Sequence, residues 1–196
     1  MLRPLAVILA AIYLSRPEMP LEEAERYASV LREEAQRGSF DPLSVVAIVH
    51  FESGWLPHVV SPNGEDFGLG QVRARFIGAC RQDADPLSDP SVACREQKQV
   101  LLQGEANLRW IATMIERNRD LCRKKTGTAW FPQWLASYQG LNFPAQKRWC
   151  QPREKTHQVI RYHSELKREL LGKGGQLKSE HQKRLDERRR AAEHGE

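Results

Sequence analysis

The sequence has no Cys-x-x-Cys pair, no apolar run long enough to span a bilayer, no internal repeat and no alternating apolar and polar stretch of strand length. Each absence removes a class. Isolated cysteines without close partners argue against a zinc knuckle or a dithiol redox centre. The longest apolar run, Leu5 to Leu14, falls short of the ~20 residues a spanning helix needs, so no stable membrane span is expected. Missing strand alternation leaves an all-α fold, with at most a short hairpin near residues 61–72. Aromatics interleaved with basic residues, as nucleic-acid modules use them, are also missing, so no nucleic-acid partner is expected.

What is present is a chain of 196 residues, enough for one moderate core, with a net charge of +5. That excess suits an anionic neighbour such as an acidic cell-wall polymer, but charge alone does not select one. Residues 1–19 read either as a signal-like segment or as a first core helix ended by Pro17, and no Ala-x-Ala cleavage site follows the apolar run. Residues 20–171 form the candidate domain. Within it Leu21 to Gly38 has acids in its first turn and apolar residues at helical spacing, and Asp41-Pro42 reads as an N-cap with proline at the first helical position. Further helices are predicted from Ser91 to about Arg119, from Trp130 to Tyr138 and from Arg153 to Leu171. Residues 172–196 open with three glycines and continue with few large apolar side chains, which predicts a charged, flexible, partly helical tail.

Four cysteines are an even number at wide spacing, and an oxidising compartment with two disulfides is expected. Cys80 and Cys94 bracket a loop-like segment, and Cys122 and Cys150 flank a helical pattern, so Cys80 with Cys94 and Cys122 with Cys150 is the simplest pairing. An extracytoplasmic location follows as an expectation.

The stretch HFESGW, residues 50–55, places Glu52 four residues after Ile48, on the inward stripe of an apolar helix. Burial against rings such as Phe51, Trp55 or Phe67 would favour the neutral carboxyl, as a proton donor near neutral pH requires. His50-x-Glu52 echoes a zinc deaminase motif, but no Pro-Cys-x-x-Cys follows and no metal is expected.

Glu52-Ser53-Gly54, then Gly68-Leu69-Gly70-Gln71, then Ser137-Tyr138-Gln139-Gly140 occur in that order. From about Leu21 to Leu171 the chain thereby resembles the soluble lytic transglycosylases and goose-type lysozymes. The resemblance implies a lysozyme-like helical domain with a catalytic cleft, a peptidoglycan glycan strand as partner, no cofactor and a monomeric enzyme. It implies that Glu52 is the catalytic acid, that Ser53 steers that carboxyl or the substrate, and that Gln71 and Tyr138 contact an acetamido group. Three positions depart from the family pattern. Gly70 stands for the usual methionine, with Phe67 as a candidate to fill the gap. Gln139 stands for asparagine. In KTHQVI, Val159 stands where Glu-Thr-x-x-Tyr-Val has its tyrosine, with His157 or Tyr162 as nearby substitutes.

Lytic transglycosylases need one acid, because the C6 hydroxyl of the substrate attacks and gives a 1,6-anhydro product. A hydrolase that inverts needs a second carboxylate to activate water. Asp66 or Glu65 could be that base, although both also suit a turn. A lytic transglycosylase is the expectation. The alternatives are a hydrolytic lysozyme and a non-catalytic peptidoglycan-binding protein.

Overall fold

The computed structural model describes residues 3–194; Met1 and Leu2 of the apolar N-terminal segment, and Gly195 and Glu196 of the tail, lie outside it. Among the described residues there are eight α-helices and one two-stranded hairpin. The helices are α1 (Leu5–Ser15), α2 (Leu21–Gly38), α3 (Pro42–Glu52), α4 (Val92–Leu101), α5 (Gly104–Thr126), α6 (Phe131–Tyr138), α7 (Glu154–Leu170) and α8 (Ser179–His194). Strands β1 (Asp66–Phe67) and β2 (Val72–Arg73) pair antiparallel, Asp66 opposite Arg73 and Phe67 opposite Val72. The fold is all-α with a short hairpin.

Helix α3 is the axis of the core. Every residue from Pro42 to Val49 is buried, as an all-round apolar helix requires. Helices α1, α2 and α7 pack against it, and α5 joins α2 to α6. Its start is fixed by Asp41, whose carboxylate accepts from the Leu43 N–H at 3.3 Å. The same carboxylate accepts from Arg3 of the N-terminal segment and from His163 Nε2 of α7, each at 3.3 Å, and has Lys167 Nζ at 3.7 Å. Burial works to raise the pKa of Asp41, but the hydrogen bonds from His163 and Arg3 outweigh it and hold the carboxyl well below the usual range.

Three sequence expectations are corrected by long-range packing. The single helix expected from Ser91 to about Arg119 is two, broken at Leu102 and Gln103. The Leu101 carbonyl is taken by Asn107 Nδ2 at 2.7 Å, ending α4 before α5 begins. Trp55 does not cover Glu52. Its ring is fully buried in the core, where Nε1 donates to Ser15 Oγ of α1 at 3.0 Å. The segment after Gly172 is not simply a flexible tail. It forms α8, which packs on α1 and α2 with Leu185 in the core and the Arg188 guanidinium 4.0 Å from the centre of the Tyr13 ring.

The apolar segment before Pro17 takes the position of a core helix. Val7, Ile8, Leu9, Ala11 and Ile12 of α1 are inaccessible to solvent. No helix among the described residues is long and apolar enough to cross a membrane. Both disulfides are present, Cys80 with Cys94 and Cys122 with Cys150. The second ties the end of α5 to the loop that precedes α7.

Candidate active site

Where α3 ends, the chain leaves the core and opens onto a cleft of about 890 Å³. The hairpin lines one side through Asp66 and Arg73. Met114, Arg117, Asn118 and Leu121 of α5 line it as well, as do Tyr138, Trp149 and Lys155. Phe51, Phe76, Tyr138 and Trp149 give it four aromatic faces, an arrangement suited to the apolar faces of sugar rings.

Glu52 sits at this mouth with 12% of its side chain exposed. Burial is the largest influence on its carboxyl and raises the pKa above the ordinary glutamate value. Lys155 opposes the shift, and the Asp66 charge adds to it. Lys155 Nζ lies 3.1 Å from each carboxylate oxygen, so the acid is held between burial and a single ammonium. The lysine is half-exposed on the first turn of α7.

The loop Gly68 to Gln71 is built around Asn107, a fully buried residue of α5. Its amide donates to Phe67 O at 2.9 Å and its oxygen accepts from Gly70 N at 2.9 Å. Gly68 has φ +72°, and a Cβ there would lie 2.2 Å from Leu101 O and 2.3 Å from Asn107 Nδ2. No larger residue fits. A Cβ at Gly70 would lie 2.4 Å from the Ile111 side chain and 2.6 Å from Tyr138 Oη. Ile111 and Tyr138, rather than Phe67, therefore occupy the space at the position where the related pattern has methionine. Phe67 is absent from the cleft lining and lies buried with Lys98 Nζ 5.8 Å from its ring centre.

Other candidate residues divide into those that face the cleft and those that support it. Tyr138 Oη donates to Gly70 O at 2.7 Å, and burial, with the Glu52 and Asp66 charges adding, raises its pKa well above that of a free phenol. Gln71 lines the cleft at φ +47°, its Nε2 donating to Val59 O and Gly68 O. Its amide oxygen has no partner among the described residues and is left for a ligand N–H. Gln139 lines the cleft too. Its Oε1 accepts from Thr156 Oγ1 at 2.8 Å, while its Nε2 is buried without a partner. Ser53 is a supporting residue. Its hydroxyl donates to Leu69 O at 2.8 Å and fastens the end of α3 to the loop, and it does not line the cleft.

The two candidate bases separate. Asp66 lines the cleft, but its oxygens accept from Arg73 Nε at 2.8 Å and from a terminal guanidinium nitrogen at 3.1 Å. Glu65 lies outside the cleft, with Arg75 at 2.9 Å. Neither proposed substitute for the missing tyrosine reaches the cleft lining: His157 is exposed, and Tyr162 stacks on His50 with ring centres 4.2 Å apart. Val159 itself is buried in the core.

Lys155 and Arg73 were not recognised from the sequence. Lys155 lies one helical turn before Val159 on α7, and the pattern that puts Val159 at the tyrosine puts Lys155 at the glutamate, a reversal of charge. Arg73 becomes visible only once the hairpin register sets it opposite Asp66. Each carboxylate of the cleft thus already faces a cation, which leaves little there to attract a metal ion.

No protein-family model matches the chain, and no curated protein or solved structure matches it.

Proposed function

We propose that the protein is a peptidoglycan lytic transglycosylase. It cleaves the β-1,4 bond between N-acetylmuramic acid and N-acetylglucosamine, with Glu52 as the one catalytic acid and no metal or cofactor. The observation that carries this reading is a carboxyl of raised pKa in an aromatic-lined cleft, whose one other carboxylate among the described residues is bound twice by arginine.

In the proposed reaction the glycan displaces Lys155 and removes water from Glu52, which favours its neutral form. Neutral Glu52 gives its proton to the glycosidic oxygen as the bond to C1 breaks. The C6 hydroxyl of the same muramic ring attacks C1, and the Glu52 carboxylate takes the hydroxyl proton. The ring closes as a 1,6-anhydro end, and the acid is regenerated. The Gln71 amide oxygen is available to an acetamido N–H, and the aromatic walls to the sugar faces. The two disulfides support a reaction outside the cytoplasm, and the basic surface, at a pI near 9.2, suits an acidic wall.

Purified, oxidised protein is expected to release muropeptides from sacculi in EDTA, and Glu52→Gln to lose that release by ~10²–10⁴-fold while still binding sacculi. Binding of sacculi without release by the unaltered protein would instead make it a wall-binding module. A hydrolytic lysozyme is the second reading, favoured by the presence of Asp66 in the cleft. It requires Asp66→Asn to abolish release; the transglycosylase reading requires that it does not.

A further inference from the structure

A second cluster of donor groups lies where α7 ends and α8 begins. Glu169 of α7, and Glu180 and His181 of the first turn of α8, bring one carboxylate oxygen each and an imidazole nitrogen within 4.8 Å of one another. It is remote from the cleft: Glu169 is fourteen residues beyond Lys155, about 21 Å along the helix axis.

The histidine carries the argument. Its side chain is only 4% exposed, and Nε2 is buried with no hydrogen-bond partner. That nitrogen nonetheless faces two carboxylates, Glu169 Oε1 at 3.4 Å and Glu180 Oε1 at 3.7 Å. Neither contact makes a hydrogen bond, so the nitrogen stays unpartnered. The distances match a different geometry. Around a tetrahedral zinc ion with ligand bonds of about 2.0–2.2 Å, neighbouring donor atoms are about 3.4 Å apart.

We propose that Glu169, Glu180 and His181 bind a divalent cation of the zinc class, which staples α8 to the end of α7. The imidazole nitrogen selects a zinc-like ion over calcium or magnesium, which prefer all-oxygen sites. Two carboxylates balance the double charge, and water completes the coordination at the exposed side. The ion gives buried Nε2 the partner it lacks. It also fixes the start of a helix that otherwise holds the core through Leu185 and surface pairs such as Arg189 with Glu25. This staple is structural and independent of glycan cleavage, so the cleft's chemistry continues in EDTA while the hold on α8 loosens.

The test is thermal unfolding of the full chain after EDTA treatment and dialysis, with and without added zinc, magnesium or calcium. Zinc is expected to raise the unfolding midpoint, and magnesium and calcium to leave it unchanged. The double variant Glu169→Gln with Glu180→Gln changes two exposed side chains and keeps their shape, so it retains the fold; it is expected to lose the zinc response. A cobalt-loaded sample is expected to show the visible absorption of a four-coordinate ion, absent in the double variant. Equal midpoints with zinc and with EDTA would make His181 an ordinary ion-pair partner of the two glutamates and overturn the site. An undiminished zinc response in the double variant would overturn it as well.

Discussion

At the scale of single residues, the account turns on Glu52 and the ammonium that holds it. A general acid must be protonated to act, so the rate falls as pH rises through its pKa. Lys155 lowers that pKa against the effect of burial. Replacing the lysine by an uncharged chain of similar length, Lys155→Met, is therefore expected to move the alkaline limb of the pH profile upward, and Lys155→Arg to leave it near its original place. The check is the rate of muropeptide release across pH at low sacculus concentration, where the free protein's acid is read, for the three proteins. The raised pKa also bears on stability. A carboxyl whose folded pKa is raised contributes stability below its unfolded pKa and loses it as pH climbs through the folded value. Above its folded pKa a charged Glu52 is thus a burden on the fold, and there Glu52→Gln is expected to melt no lower than the unaltered protein.

Elements meet at Asp41, where the start of α3 is fastened to the N-terminal segment and to α7. Asp41→Asn keeps a cap but loses the charge-assisted bonds, a cost of about 2 kcal/mol at neutral pH. The sign follows from a lowered carboxyl pKa. The contribution is full above the unfolded pKa, about 3.9, and is lost as pH falls through the folded value. The stability gap between the two proteins, measured by denaturant unfolding, is expected to close as the solution is acidified below about pH 4. The Asp41-Pro42 start of this helix was legible in the sequence because a cap is a local event. Asn107 was not, because its meaning lies in three backbone partners, Phe67, Gly70 and Leu101, brought together only by folding. For the same reason the break between α4 and α5 escaped the periodicity, and the bond from the Ser53 hydroxyl to the neighbouring loop was not visible beside its expected role of steering the carboxyl or the substrate.

For the molecule as a whole, sequence and structure agree on what composition and punctuation control: an all-α chain, one short hairpin and two disulfides between the expected cysteines. They part where distant segments compete for the same surface. Trp55 and Phe67 follow the acid closely in sequence, yet both are buried in the core and neither lines the cleft. Lys155, far from Glu52 in sequence, meets it in space, and the Asp66 charge acts on the same carboxyl. The last segment is polar in composition, yet its Leu185 and His181 are buried. The bridges close loops of 14 and 28 residues, and they contribute about 3 and about 3.6 kcal/mol by chain-entropy reasoning. Reduction is therefore expected to lower the unfolding midpoint, with the Cys122 to Cys150 bridge also restraining the loop that carries Trp149 into the cleft.

The central claim is that one carboxyl, Glu52, cleaves the glycan strand without an activated water. The most direct test is the mass of the muropeptides released from sacculi. The account expects every new muramic end to be lighter by one water, as a 1,6-anhydro ring, in the unaltered protein and in Asp66→Asn alike. Reducing ends that carry the added water, and that vanish in Asp66→Asn, would contradict it.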